Sequence, residues 1–413
     1  MPYRFANPRI FISAGEASGD HYGAGLITAI RRTLPEVEFY GLGGMAMQNA
    51  GMHRLVRAED VNVMGISEVL LHLPRIYRYY RKLVDSIREH PPQLAVLIDY
   101  PDVNLRLARH LKSLGVPVVY LVSPQLWAWK KNRLLQVQER VSKMLVIFPF
   151  EEAFYRHRGV QAEFIGHPLA DDAATTIPRE EFAQQTTSLG PDGTRHRLDP
   201  AKQWIALLPG SRVNEMLHNL PEMVKAAYEL GDSYEFLVPV ARTLTVKQIS
   251  KLEFDLGNWA PGENPPPRIS FVRDAAAALH HARASIVASG TATVQSALIG
   301  NPFIVVYKLS PLTYRIAKRA VKYPVEIPAT VDEYGHLPVA MVNLIAGRRV
   351  VPELLQHHFT AEKMVSELRP LLADSPERVK MMAALAEVKA MLHPSSTPAL
   401  ERAAVSVLGM LHA

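Results

Sequence analysis

Four short segments place glycine, hydroxyl or charged residues directly after an apolar run of strand length, and a fifth follows the proline-interrupted stretch 323–337. In an open parallel sheet, ligands bind there, beyond the carboxyl ends of the strands. In Ala14-Gly15-Glu16-Ala17-Ser18-Gly19-Asp20 the glycines let backbone approach a ligand, and Ser18 or Asp20 can cap the following helix. Glu16 adds a carboxylate that a plain turn does not need. The spacing is not G-x-G-x-x-G, so no dinucleotide fold is indicated. In Ile98-Asp99-Tyr100-Pro101-Asp102 an aliphatic strand ends on Asp99, and Pro101 suits the first turn of a helix. Asp102 is assigned the helix cap and Asp99 the chemistry. At the floor of a cleft with apolar walls, Asp99 would have its pKa raised enough to accept a proton.

Two further loops suit an anion. Gly210-Ser211-Arg212 follows Pro209, with Glu215 three residues beyond the arginine, and Ser289-Gly290-Thr291-Ala292-Thr293 opens a helix. Both bring backbone N–H groups and hydroxyls to a helix N-terminus, where the dipole favours negative charge, and Arg212 adds a permanent cation. Each alone is compatible with an ordinary N-cap, but the pair in one half of the chain reads as a diphosphate site. The fifth segment, Asn343-Leu344-Ile345-Ala346-Gly347-Arg348, is not assigned a role by its spacing; a loop with a buried asparagine is the plain alternative. His167, between Gly166 and Pro168, is read as structural.

What is missing narrows the chemistry. Cysteine is absent, which excludes disulfides, thiolate zinc sites and a cysteine nucleophile. No Asp-x-Asp, H-E-x-x-H or Walker lysine spacing occurs, so a divalent-metal site of familiar pattern and ATP hydrolysis are not expected. Lys+Arg 46 against Asp+Glu 40 gives a net charge of +6. That excess demands no nucleic acid, but it fits an anionic ligand or a membrane surface. No signal peptide or membrane span is read, which implies a cytoplasmic chain.

The elements that must position these segments follow from an alternation of short apolar runs with longer helical patterns, the sign of parallel-sheet βα units. Strands are predicted at 9–14, 38–41, 94–98, 118–122, 143–147 and 162–165, then at 204–208, 235–238, 269–272, 284–287 and 303–307, with helices such as 23–33 and 103–114 between. The stretch 176–201 is polar and breaks the rhythm, with one short helix at 179–185 and no sustained strand. Residues 361–410 are almost all helical in pattern. The fold class is therefore α/β, with two Rossmann-like doubly wound parallel-sheet domains. Residues 1–175 form the first of these domains, 176–201 a connection and 202–358 the second, which carries both candidate diphosphate loops. Residues 359–413 form a helical tail that packs back on the first domain or exchanges in a dimer.

Two stretches, 70–82 and 312–323, are basic and aromatic or aliphatic together. Amphipathic helices with solvated basic faces are the usual reading. In 70–82, which holds Leu71, Leu73, Tyr77 and Arg78, the apolar residues occupy more than one stripe, which favours an interfacial helix on anionic lipid.

Taken together, these segments resemble the lipid-A-disaccharide synthase family. The resemblance runs from Ala14 to about Gln356. Besides the loops above it rests on Met64-Gly65-Ile66-Ser67-Glu68-Val69-Leu70, Ser123-Pro124-Gln125-Leu126-Trp127-Ala128-Trp129 and Phe164-Ile165-Gly166-His167-Pro168-Leu169-Ala170-Asp171. It implies a GT-B enzyme that transfers a sugar with inversion, without metal or other cofactor, from UDP-2,3-diacylglucosamine to 2,3-diacylglucosamine 1-phosphate. On that reading Asp99 is the base, Arg212 and the 289–293 helix end stabilise departing UDP, and Glu16 and Asn343 are acceptor-side or active-site residues. Ser18, Gly19, Met64, Leu71, Leu73, Tyr77 and Arg78 face acceptor or membrane. Gln295 stands where the family usually has the glutamate that holds the ribose. The resemblance also implies a peripheral enzyme on the inner face of the cytoplasmic membrane and a homodimer with exchanged C-terminal segments. Two alternatives share the architecture: a UDP-N-acetylglucosamine 2-epimerase, and a non-catalytic nucleotide-sugar-binding protein on the membrane.

Overall fold

The computed structural model describes the chain except residues 1–7, 62–65, 129–132, 173–176, 190–194, 242–243, 260–266 and 413. For 66–73, 187–189, 195, 257–258 and 311–312 it describes the backbone alone. Two compact units result. The first comprises Met1–Pro168, Ala320–Glu326 and Leu392–Ala413, and the second Leu169–Arg319 and Ile327–Met391.

The first unit begins β1 (Arg9–Ala14), α1 (Ala17–Thr33), β2 (Glu38–Gly43), α2 (Met45–Asn49), β3 (His53–Arg57), α3 (Ala58–Val61) and α4 (Ile66–Glu89). It continues through β4 (Leu94–Ile98), α5 (Pro101–Ser113), β5 (Val118–Leu121), α6 (Arg133–Arg140), β6 (Lys143–Val146), α7 (Pro149–Arg156) and β7 (Ala162–Phe164). The seven strands run in the order β3-β2-β1-β4-β5-β6-β7, and every pairing is parallel. β4 is apolar throughout and wholly buried, as a central strand covered on both faces requires. The half-exposed edge strand β3, His-Arg-Leu-Val-Arg, is not among the predicted strands.

The second unit opens with α8 (Arg179–Gln185) and a small antiparallel pair, β8 (Thr187–Leu189) and β9 (Arg195–Arg197). Each has three residues, so the described part of 176–201 holds a short hairpin and no sustained strand. Then come β10 (Gln203–Leu208), α9 (Val213–Leu230), β11 (Tyr234–Pro239), α10 (Val246–Trp259), β12 (Arg268–Val272), α11 (Ala275–His281), β13 (Ala284–Ala288) and α12 (Thr291–Ile299). β14 (Phe303–Tyr307), α13 (Pro311–Ala320), α14 (Met341–Ala346), β15 (Glu353–Leu355), α15 (Ala361–Leu372) and α16 (Pro376–Leu392) complete it. The six-stranded sheet has the order β12-β11-β10-β13-β14-β15. Both sheets thus reverse strand order once, between β1 and β4 and between β10 and β13, as doubly wound Rossmann-like sheets do.

The last helix, α17 (Ala399–His412), belongs to the first unit and lies on α1. Gly25 permits the approach, because a Cβ there would meet Leu400 Cδ1 at 2.4 Å. Arg32 pairs with Glu401 at 2.6 Å, and the Arg402 guanidinium donates to the Phe164 carbonyl at 2.9 Å. Residues 320–326 are fixed to the same unit by Glu326, which accepts from Arg158 at 2.8 Å and pairs with His157 at 2.9 Å. Despite burial, those partners hold the Glu326 carboxyl down at about 2.

Candidate active site

In the first unit, β1 and β4 pair with Ala14 opposite Ile98, so the Gly15–Gly19 turn and Asp99 emerge side by side where strand order reverses. The turn is tight because it must be. A Cβ on Gly15 would lie 2.4 Å from Tyr100 Cδ1, and one on Gly19 would press on Ala14 and Ile98 at 3.2 and 3.5 Å. Gly19 is therefore buried where α1 meets the sheet. Ser18 is exposed in the first turn of α1, and Glu16 is the N-cap residue without a side-chain capping bond. Asp20 does not cap α1 either: its carboxylate accepts from the N–H groups of Gly44, Ala46 and Met47 at 2.8, 3.0 and 3.1 Å, closing the start of α2.

Asp99 and Tyr100 both have left-handed backbone, with φ of 45° and 47°. For non-glycine residues each such conformation costs on the order of 1–3 kcal/mol, so its surroundings must enforce it. Three buried side chains converge on this corner. Asn104 Nδ2, from α5, donates to the Asp99 carbonyl at 2.8 Å, with the Ile98 and Ser13 carbonyls at 3.1 and 3.3 Å. Ser13 Oγ, from β1, donates to Asn104 Oδ1 at 2.7 Å, and the Tyr120 hydroxyl, from β5, donates to the Asp99 carbonyl at 2.6 Å. The Asp99 carboxyl itself is pushed up to about 6, first by burial and then by the nearby Glu16 charge, against a lowering contact from the Tyr100 N–H. It can thus hold or release a proton near neutrality. Asp102 is not the helix cap expected of it: Tyr100 occupies the N-cap position of α5 without a side-chain capping bond, and Asp102 pairs with Arg133.

In the second unit the equivalent reversal brings the loops after β10 and β13 together, since Leu208 pairs with Val287. Gly210 has φ 128°, and a Cβ there would collide with Glu215 at 2.6 Å. Glu215 accepts from the N–H groups of Ser211 and Arg212 at 3.1 and 3.4 Å and pairs with the exposed Arg212 guanidinium at 3.1 Å. Those backbone groups are therefore already engaged, and the loop's offer to an anion is Arg212. Across the reversal, Gly290, with φ 155°, is the N-cap of α12 and provides no capping side chain. Thr291 is exposed there, Ser289 donates to the Val339 carbonyl at 3.3 Å, and Gln295 is half-buried one turn on. Thr293 is wholly buried and donates to the Gly290 carbonyl at 2.7 Å, which shapes the loop.

Asn343 lies inside α14. Its side chain is buried and spent locally: Oδ1 accepts from Val350 and Val351 at 2.7 and 3.0 Å, and Nδ2 donates to the Val351 carbonyl and Glu353 at 3.0 and 2.8 Å. All four of its hydrogen-bonding positions are thus engaged locally. His167 is buried beside Phe148, and burial lowers its ring to about 3, which keeps it neutral. Sequence reasoning missed Ser13, Asn104 and Tyr120. The available signals were a serine inside an apolar strand and an asparagine inside a helix.

Of the membrane-facing expectations, Met64 lies outside the described residues, and the side chains of Leu71 and Leu73 do too. Further along α4, Leu83, Val84 and Ile87 are buried, while Tyr77 is 60% exposed beside the exposed Arg78. Among the described residues, no helix is long and apolar enough to cross a membrane, and no three His, Asp or Glu side chains group as metal ligands.

Two Rossmann-like sheets with loops gathered at each reversal define the two-domain GT-B class of glycosyltransferase fold. The calicheamicin glycosyltransferase CalG4 aligns with TM-score 0.57 at 16% identity, covering 99% of both chains. A UDP-GlcNAc 2-epimerase from Neisseria meningitidis aligns with TM-score 0.55 at 10% identity, covering 97% of this chain and 99% of that one. The fold alone therefore does not separate transferase from epimerase. Sequence does: the lipid-A-disaccharide synthetase family model matches residues 10–407. The lipid-A-disaccharide synthase of Acidobacterium capsulatum is 55% identical over 96% of this chain and 94% of its own length, and that of Koribacter versatilis is 46% identical over 97% and 98%. The chain belongs to the lipid-A-disaccharide synthase family.

Proposed function

We propose that this protein joins UDP-2,3-diacylglucosamine to 2,3-diacylglucosamine 1-phosphate, giving the β(1→6)-linked disaccharide 1-phosphate and UDP. The observation that carries the chemistry is the Asp99 carboxyl, at the end of a central strand and pushed up to about 6. The acceptor's 6-oxygen forms a bond to the anomeric carbon as the bond from that carbon to the UDP β-phosphate oxygen breaks. The proton leaves the hydroxyl for Asp99, and the departing electron pair stays on UDP. Glu16 keeps the Asp99 carboxyl from ionising too readily by adding like charge.

In the second unit, Arg212 and the open start of α12 supply positive potential for the diphosphate, a role a metal plays elsewhere. Gln295 offers its amide to the ribose. The basic outer face of α4, with Arg78 and the exposed Tyr77, supports docking on the anionic inner face of the cytoplasmic membrane. Homodimerisation by exchange of the C-terminal segment completes the reading, with α17 of a second copy making the contacts that α17 makes on α1.

The test is incubation of the purified protein with both sugars in the presence of a chelator. Disaccharide and UDP should appear together, and only when acceptor is present. Release of an epimer or of UDP without acceptor would refute the reading. Asp99→Asn should lower kcat by about 10²–10⁴-fold, the usual worth of a general base, while UDP-sugar still binds.

A further inference from the structure

We infer that Ser13, Asn104 and Tyr120 are positioning residues, a buried clamp that aims the Asp99 carboxyl by holding the Asp99–Tyr100 peptide left-handed. The inference rests on Asp99 being the base. Chain reversal alone does not require this arrangement. In the second unit the loops after β10 and β13 take positive φ at glycines, Gly210 and Gly290, where that backbone costs little. At Asp99 and Tyr100 the same freedom is absent, yet the conformation is kept.

What keeps it comes from three separate elements meeting at one carbonyl. The Asp99 oxygen accepts from Asn104 at 2.8 Å and from Tyr120 at 2.6 Å, and Ser13 orients the Asn104 amide from its other side at 2.7 Å. Ser13, Asn104 and Tyr120 are all 0% exposed, so water does not substitute for any of them. Fixing the peptide at its carbonyl fixes the direction of the Asp99 Cα–Cβ bond. An asparagine inside a helix and a tyrosine hydroxyl in a sheet core are poor choices for stability alone. They are apt choices for precision, because a misplacement of about 1 Å at a reacting group can cost roughly 10²-fold in rate.

Tyr120→Phe removes one hydrogen bond and keeps the ring; Asn104→Ala removes the hub. The full-length variants are assayed with both diacylated sugars for kcat, each KM, the pH profile of kcat and Tm. We expect kcat to fall about 10-fold in Tyr120→Phe and up to about 10²-fold in Asn104→Ala, with donor KM unchanged. The acid limb should move to lower pH as Asp99 gains solvent and loses the Glu16 field. In an Asp99→Asn background, Tyr120→Phe should not slow the residual rate further. A normal kcat and an unmoved acid limb in Tyr120→Phe would overturn the clamp even if Tm drops, as would an undiminished 10-fold loss in the Asp99→Asn background. Should Asn104→Ala fail to fold, Tyr120→Phe decides. A wild-type rate in Asp99→Asn alone would instead remove the base assignment, and the clamp with it.

Discussion

The Tyr100 ring fills the space that a side chain at residue 15 would need: a Cβ on Gly15 would stand 2.4 Å from Cδ1 and 2.6 Å from Cγ. Glycine in the first loop is thus what lets the residue after Asp99 settle, so the two strand ends of the reversal are built as one object. Gly15→Ala should drive the ring away and disturb the left-handed corner behind it. The expected result is a fall in kcat of about 10-fold or more with donor KM retained, read by steady-state kinetics. Wild-type turnover in Gly15→Ala would show that the ring can move without consequence.

Arg212 is exposed and paired only three residues along with Glu215, an arrangement worth little to stability. Its contribution should therefore appear in binding. A charge-assisted hydrogen bond is worth about 1.5–3 kcal/mol, so Arg212→Ala should raise the KM for the UDP-sugar by roughly 10-fold or more and leave Tm nearly unchanged. Added salt should weaken donor binding to the wild type more than to the variant, because it screens the charge the variant has lost. Equal salt slopes would place the diphosphate elsewhere.

For Asn343 the expected profile is the opposite. Asn343→Ala strands the N–H groups of Val350 and Val351 and removes a donor from the buried Glu353. Leaving such groups unpaired costs about 1–3 kcal/mol, to be seen as a lower Tm in thermal unfolding, with kcat intact well below it. A large loss of kcat at unchanged Tm would return Asn343 to the chemistry.

The contrast between these residues shows what a linear reading can reach. Buried parallel strands such as Leu94–Ile98 announce themselves as unbroken apolar runs, and a carboxylate ending one stands out. β3 does not, because an edge strand mixes polar and apolar residues as a loop does. The helical pattern of α1 is clear in sequence only from Gly23, six residues after its start at Ala17, since Ser18, Gly19 and Asp20 are weak helix formers. Asp20 looks like a cap for its own helix and serves α2 instead, 24 to 27 residues on. Asn104 and Ser13 are 91 positions apart, and only the pairing of β1 with β4 makes them neighbours. Loops at strand ends are legible as candidates; which of their side chains face a ligand is decided by packing that spans the sheet.

Glu151, on α7, yields a prediction about stability. It is wholly buried, accepting from the Trp127 indole at 3.0 Å and from the Phe148 N–H at 3.2 Å. Burial nevertheless pushes its carboxyl up to about 8, from 4.5. The unfolded chain releases this proton near the ordinary value while the folded chain still holds it. Between about pH 4.5 and 8 the native state therefore binds more protons than the unfolded state, and stability falls as pH rises through that window. Above it both states are ionised and the loss is complete. Glu151→Gln cannot ionise, so its Tm should decline less steeply than that of the wild type across the window, and the difference between the two curves isolates this one group. Parallel curves in differential scanning calorimetry would mean that the donors around Glu151 hold it ionised in the folded chain at every pH tested.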